Sequence, residues 1–340
     1  MKKPVASATT IKSKPQIISL FCGAGGLDLG FKDDGYTIAL AIDSESSAID
    51  THKHNFGASE SIVADLTKLG PRGVLKLVQN NVIVGERIGV IGGPPCQGFS
   101  RANIGSQPND PRNELPKLYV EIIKELQKHY IVEFVIFENV LGMKDKKHSE
   151  KYFALIQGLK KLKLDVTEKE LCAADYGVPQ NRNRIIVSAL RSGQGYTQVI
   201  PVKKEGIITV EQAIGSLPNP IFFERKLKSS DIPNHPNHWT MKPKSAKFQQ
   251  VVGDNNKTRS FRKLRWDKAS PTIAFGNREI HVHPSGTRRL SIYEAMLLQG
   301  FPPTFELKGN LSQQVQQVSN AVPPPLAKCL AVAVSKSMNC

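Results

Sequence analysis

The chain has 340 residues, 40% of them hydrophobic and 22% charged, a soluble globular composition with room for one large and one smaller domain. No apolar run approaches the ~18 residues of a membrane span, and the polar, basic start is not a secretory signal, so a cytoplasmic protein is expected. The 46 Lys+Arg against 30 Asp+Glu leave a formal charge of +16, which suits a polyanionic partner such as nucleic acid, although a solvated basic surface has the same balance.

Residues 1–14 read as a flexible basic tail. Ile17 to Phe21 then reads as a buried strand running into glycines and a helix from Gly26 to Asp34. A second strand spans Thr37 to Ile42 and ends in Asp43, and a helix follows from Ser46 to Asn55. Ser61 to Val63 is a short strand before Asp65, and Ile88 to Ile91 a fourth before Gly92-Gly93-Pro94-Pro95-Cys96. Leu115 to His129 has helical spacing, Phe134 to Phe137 is an apolar strand capped by Glu138, and Arg184 to Leu190 is another strand. Strands alternating with helices predict an α/β fold, a mostly parallel sheet covered on both faces. Asp43, Asp65, Cys96 and Glu138 all follow strand ends, the rim where open α/β sheets bind ligands.

Beyond Arg191 the rhythm breaks. Residues 192–285 are rich in Pro, Asn, His, Lys and Ser and predict loops and short strands; helical spacing returns at Ser291 to Leu298 and at Ala321 to Lys336.

Phe21-Cys22-Gly23-Ala24-Gly25-Gly26 joins a strand to a helix, and its glycines allow a tight turn and close approach of a ligand. The dinucleotide fingerprint fails, because Asp28 stands where its third glycine belongs. Asp43 can accept from both ribose hydroxyls and Asp65 from an adenine amino group; each could equally be a helix cap or turn residue. Together with the glycine turn they describe a nucleoside pocket without a pyrophosphate cradle, which suits S-adenosylmethionine.

The five cysteines, at 22, 96, 172, 329 and 340, form no Cys-x-x-Cys, so neither a disulfide framework nor a zinc site is expected. Cys96 is flanked by Gly, Pro, Gln and Ser, a loop suited to a nucleophile rather than to an inert core thiol. Carbon 5 of cytosine is a poor nucleophile, and a thiolate added at carbon 6 makes it enamine-like. Such chemistry needs an acid and positive groups near the base. Glu138 is a candidate acid, since a partly desolvated carboxyl can hold its proton, or else a capping residue. Arg182 and Arg184, two positions apart, could clamp a base carbonyl and phosphates or simply lie solvated on a strand edge.

Six motifs in order resemble the cytosine-5 DNA methyltransferase family of bacterial restriction–modification systems, from residue 17 to the C-terminus. Phe21 to Gly26 is similar to its first motif, Pro94 to Ser100 to its catalytic motif, and Phe137-Glu138-Asn139-Val140 to its glutamate motif. Tyr176 to Gln180 with Arg182 and Arg184 resembles the arginine motif. Arg289-Leu290-Ser291 through Pro302 resembles the motif that supports target recognition, and Gln317 to Pro324 the last.

The resemblance implies a Rossmann-like methyltransferase sheet with a smaller, loop-rich target-recognition domain. It implies methyl transfer from S-adenosylmethionine, leaving S-adenosylhomocysteine, to a flipped cytosine in duplex DNA, without a metal. Cys96 is then the nucleophile, Glu138 contacts the ring nitrogen and amino group, and Arg182 and Arg184 hold the base carbonyl and active-site loop. Phe21, Gly23, Gly25, Asp43, Asp65, Pro95, Leu115 and Asn320 are expected at the cofactor, and Ser100, Gln180, Arg259, Arg262 and Arg265 at DNA. Residues 15–191 form the catalytic domain, completed by 313–340 through a final helix packed beside the first motif, and 192–312 read the target. A monomer is expected, with a cognate endonuclease encoded nearby. Three departures stand out: Asp43 where the family often has Glu, Ser319 for a usual Gly before Asn320, and Tyr293 for a common Arg before Glu294. A transfer-RNA methyltransferase of the same architecture and a DNA-binding regulator with a dead site are the alternatives; the loop-rich recognition segment opposes the first and the complete set of catalytic candidates the second.

Overall fold

The computed structural model describes residues 13–95, 111–146, 148–224, 227–244, 248, 262–272 and 281–340. Strands β1 (Gln16–Leu20), β2 (Ile38–Asp43), β3 (Glu60–Val63), β4 (Arg87–Gly92) and β5 (Ile131–Asn139) run parallel. Strand β6 (Leu164–Cys172) and, beyond the two-residue β7 (Gln180–Asn181), strand β8 (Asn183–Arg191) complete a seven-stranded sheet of order β3-β2-β1-β4-β5-β8-β6. Only β8 runs against its neighbours.

The apolar run in β5 is two faces of one strand. Phe134 and Ile136 join one buried cluster, Val135 and Phe137 the other, because successive side chains point to opposite sides of a sheet covered on both. Helices α1 (Gly26–Asp33) and α2 (Ser46–Phe56) cover one face, and α3 (Leu66–Gln79), α4 (Leu115–Leu126) and α5 (Ser149–Lys161) the other. The strand expected to stop at Phe137 continues through Asn139, so Glu138 lies inside β5 and not on its cap. The helix expected to reach His129 ends at Leu126.

Downstream come α6 (Val210–Ile214), the paired two-residue strands β9 (Ile221–Phe222) and β10 (Trp239–Thr240), β11 (Ser270–Pro271), and α7 (Ile292–Leu298). This stretch shares its core with the sheet: Val210, Ile214, Ile232, Trp239 and Leu264 belong to the same buried cluster as Phe31 and Leu330. In α7 the Ser291 hydroxyl accepts from the Glu294 backbone N–H and the Glu294 carboxylate from that of Ser291, a reciprocal cap. The same carboxylate takes both ends of the buried Arg288 guanidinium, each at 2.8 Å. Tyr293, one of the family departures, stacks on His235 at 4.0 Å, so its role here is packing.

Helices α8 (Leu311–Asn320) and α9 (Pro324–Met338) return to the sheet, with α9 packed on α1 as expected of the final helix. That approach requires glycine. A Cβ on Gly30 would stand 2.4 Å from the Ala327 carbonyl carbon, and one on Gly26 2.3 Å from the Val322 oxygen. Gly30→Ala is therefore expected to push the helices apart and cost about 1–3 kcal/mol of stability; an unchanged midpoint in thermal unfolding would contradict this contact.

Where the basic tail meets β1 it is anchored. Lys14 pairs with Asp34 at 2.7 Å, and the Ser13 carbonyl accepts from Arg87. Residues 1–12 lie outside the described residues. Among the described residues no helix is long and apolar enough to cross a membrane.

Candidate active site

A cavity of about 540 Å³ opens at the C-terminal ends of β1 to β5 and is closed by the end of α8. Phe21, Gly23, Asp43, Asp65, Pro95, Leu115, Glu138, Arg182, Arg184 and Asn320 all line it. Residues spread over three hundred positions meet there because parallel strands end on one rim.

After β1 the chain turns through Phe21 and Gly23, both at φ +55°. Phe21 is the strained member, since a side chain with Cβ rarely enters the left-handed region. The turn is tied to β2: the Gly23 N–H donates to Asp43 Oδ2 at 2.8 Å, and the Glu45 N–H to Oδ1 at 2.9 Å. Burial raises the Asp43 carboxyl above its ordinary value despite those bonds, which act the other way. Gly25 serves differently from expectation. It begins α1 at φ +86° with its α-carbon against Phe56 and His52, and it does not line the cavity, because that side of the turn faces α2.

Asp65 is both a cap and a wall residue. Its Oδ1 accepts from the Thr67 backbone N–H at 2.9 Å and from the Thr67 hydroxyl at 2.6 Å, which starts α3 and holds the carboxyl below its usual range.

The end of β5 organises the loop that leads to Cys96. Asn139 Nδ2 donates to the Pro94 carbonyl at 3.3 Å, and a Cβ on Gly93 would fall 2.8 Å from Glu138 Oε2. Glycine at 93 is what lets the Glu138 carboxylate lie against the backbone. The sequence marks Gly93 only as part of a turn and Asn139 only as a member of a motif, because one works by lacking a side chain and the other by a bond across two strands. Glu138 is 6% exposed and meets Arg184 Nε at 2.7 Å. Cys96 itself, with Ser100 and Arg259, lies outside the described residues.

The arginines part company. Arg184 holds Glu138, whereas Arg182, 1% exposed, donates from Nη2 to the Ser319 carbonyl at 2.7 Å. Arg182 thus braces the last turn of α8, next to Asn320, while it lines the cavity. The serine that departs from the family's glycine fits here because its carbonyl serves Arg182 while its hydroxyl donates to Gln316 O at 3.0 Å.

Of the expected DNA contacts, Gln180 is withdrawn from the surface. It is fully buried in β7, paired in register with Ser270 of β11. Arg262 is exposed. Arg265 is exposed but bound by both ends to Asp267, at 3.0 and 2.9 Å, so its charge is largely matched locally.

A seven-stranded α/β sheet with one antiparallel strand, a glycine turn and a carboxylate at the second strand end defines a Rossmann-like, nucleoside-binding methyltransferase class. Solved structures share this fold. A prophage-encoded DNA modification methyltransferase from E. coli superposes with TM-score 0.78 at 24% identity, over 96% of this chain and 100% of that one. A DNMT2 of Spodoptera frugiperda does so with TM-score 0.61 at 19% identity, over 94% and 99%. The model of the C-5 cytosine-specific DNA methylase family matches residues 15–336, and the chain belongs to that family as a DNA (cytosine-5-)-methyltransferase. It is 33% identical to the Type II methyltransferase M.NmeDI of Neisseria meningitidis serogroup C over 95% of this chain and 84% of that protein. It is 34% identical to M1.HphI of Haemophilus parahaemolyticus over 94% and 86%, and 30% identical to M.MthTI of Methanothermobacter thermautotrophicus over 95% and 97%.

Proposed function

We propose that this chain methylates carbon 5 of a flipped cytosine within a specific duplex sequence, through a covalent Cys96 adduct, and protects host DNA in a restriction–modification system. The observation that carries this reading is the Glu138–Arg184 pair beside the Gly93-Pro94-Pro95 backbone, on the rim of a nucleoside-sized cavity. The Type II relatives favour the protective role; a monomeric enzyme with a cognate endonuclease encoded nearby is part of the same proposal.

The residues present fit S-adenosylmethionine. Asp43 Oδ2 accepts from Gly23 and Oδ1 from Glu45, and the carboxylate faces the cavity, placed to accept from a ribose hydroxyl. Leu115 and Pro95 supply apolar wall, and Phe21, Gly23, Asp65 and Asn320 complete the pocket. The bound cofactor supplies a methyl group on a sulfonium, electrophilic enough for an enamine carbon.

The protein does the rest. The Cys96 thiolate forms a bond to carbon 6 while Glu138 delivers a proton to the ring nitrogen. The electron pair released to carbon 5 attacks the methyl carbon, and the methyl–sulfur bond breaks with its electron pair going to the departing thioether, S-adenosylhomocysteine. A base then removes the carbon 5 proton, the ring double bond re-forms as the Cys96 sulfur leaves as thiolate, and the ring-nitrogen proton returns to Glu138. Arg184 keeps Glu138 oriented. Residues 192–312 read the duplex and hold the target base out of the stack. Incubation with labelled S-adenosylmethionine and mixed-sequence duplex DNA should place label on cytosine at one sequence context; no transfer to any such DNA overturns the proposal, and transfer confined to transfer RNA would favour the RNA enzyme.

The Asp43 environment predicts a pH dependence. Its neutral form cannot accept from both hydroxyls, and burial raises its pKa. Cofactor affinity should therefore fall as pH drops through that raised value, at a higher pH than an ordinary aspartate would give. Calorimetric titration across acidic pH checks this, and Asp43→Asn should bind more weakly with the acid-side fall flattened. An acid limb unchanged in Asp43→Asn would contradict the assignment.

A further inference from the structure

Behind the glycine turn lies a cluster that methyl transfer does not use. Cys22 precedes Gly23, Asp28 sits in the first turn of α1, and His52 lies in α2. One ligand atom from each falls within 4.8 Å of the others. Asp28 and His52 are 0% exposed and Cys22 9%. Asp28 Oδ1 and Oδ2 and His52 Nε2 have no hydrogen-bond partner among the described residues, a costly arrangement for a buried carboxylate.

The hydrogen bonds around His52 sharpen the point. With the Ser61 hydroxyl turned to the Ser59 carbonyl at 3.4 Å, its oxygen is placed to accept from His52 Nδ1–H at 2.8 Å. In neutral imidazole that leaves Nε2 as a lone pair, 3.5 Å from Asp28 Oδ2. Two buried acceptors 3.5 Å apart leave no room for a water between them and call for a cation. A proton on Nε2 is one answer, but 3.5 Å is long for a charge-assisted hydrogen bond, and it leaves Asp28 Oδ1 without a partner among the described residues. A metal ion is the other. Zn–N and Zn–O bonds of about 2.0–2.2 Å in a tetrahedron place nitrogen and oxygen roughly 3.3–3.5 Å apart, the spacing seen here.

We propose that Cys22, Asp28 and His52 form a binding site for a thiophilic divalent cation of the zinc class, set behind the wall of the cofactor cavity. A thiolate, a carboxylate and a neutral imidazole balance the charge of one divalent ion, which is what burial requires. The Ser61 bond orients the ring as partners of metal-bound histidines commonly do. Cys22 also lines the cavity, which provides the entry path. The ligands come from three separate elements, so no Cys-x-x-Cys spacing marks the site. Its consequence is structural: the ion ties the turn carrying Gly23 to α1 and α2, and so stiffens the wall on which Asp43 is held.

The test uses the full-length protein and cobalt as the probe. Metal-free protein titrated with Co²⁺ should develop a near-ultraviolet thiolate-to-cobalt charge-transfer band, saturating at one ion per chain and erased by Zn²⁺. Zn²⁺ should also raise the Tm of metal-free protein. Cys22→Ser should lose the band, whereas Cys96→Ser should keep it, which separates this thiol from the proposed nucleophile. X-ray absorption of the wild-type cobalt protein should show a single sulfur ligand, a readout that stands even where Cys22→Ser fails to fold. No saturable band, a band retained in folded Cys22→Ser, or a coordination sphere without sulfur overturns the proposal and leaves an imidazolium–carboxylate pair. None of these results depends on methyl transfer.

Discussion

Cys96→Ala is expected to retain duplex DNA binding and lose methyl transfer, by roughly 10⁴-fold or more, the scale on which removal of a covalent nucleophile acts. Without addition at carbon 6, carbon 5 is too poor a nucleophile to attack the methyl group. The described residues show how the thiol would be presented. Pro94 and Pro95 restrict the backbone just before it, Asn139 holds the Pro94 carbonyl, and Glu138 lies against Gly93. The other cysteines offer no substitute: Cys172, Cys329 and Cys340 do not line the cavity, and Cys22, which borders it, is buried, with its thiol pushed well above the ordinary value by burial and the nearby Asp28 carboxylate. Tritium transfer and gel-shift measurements on one preparation check both halves. Normal transfer by Cys96→Ala would refute the nucleophile assignment.

Glu138→Gln is expected to lower kcat about 10²–10⁴-fold with cofactor affinity nearly unchanged. The amide keeps an oxygen for Arg184 but has no proton to give the ring nitrogen as the thiolate adds. Arg184 approaches at 2.7 Å, and both side chains are largely shielded from water. Glu138→Ala should add a structural penalty of about 3 kcal/mol, because it strands the guanidinium. A Gln variant that lost cofactor binding as much as turnover would move Glu138 from proton delivery to support of the pocket. Single-turnover rates with thermal melts distinguish the two.

Much of this was legible in the sequence because parallel strands place their ends on one rim. Phe134 to Phe137 announced a buried strand, and Asp43, Asp65 and Glu138 could be ranked by following strand ends. What escaped was of three kinds. Helix α3 was hidden because Gly70, at φ +60°, and Pro71 break its periodicity. Strand β6 was hidden because Leu-Asp-Val-Thr-Glu-Lys-Glu-Leu-Cys exposes much of its length at the sheet edge and carries little apolar signal. Pairwise roles were hidden because sequence distance conceals them: Arg182 on the Ser319 carbonyl, Asn139 on Pro94, and Gln317 accepting from Thr51 at 2.6 Å across α8 and α2. Arg182 and Arg184 looked equivalent on an extended strand, and tertiary packing gave them different partners. Gln180 looked like a surface residue by its type and is fully buried.

The central claim, covalent attack by Cys96 within this cavity, can be read directly with duplex DNA carrying 5-fluorocytosine at the methylated position. Fluorine at carbon 5 cannot leave as a proton does, so release of the enzyme is blocked once the methyl has transferred. Mass spectrometry should find, only when S-adenosylmethionine is present, a protein–DNA adduct mapping to the peptide that contains Cys96. An adduct on any other residue, or methylation of ordinary DNA with no trapped complex on the fluorinated substrate, would contradict it.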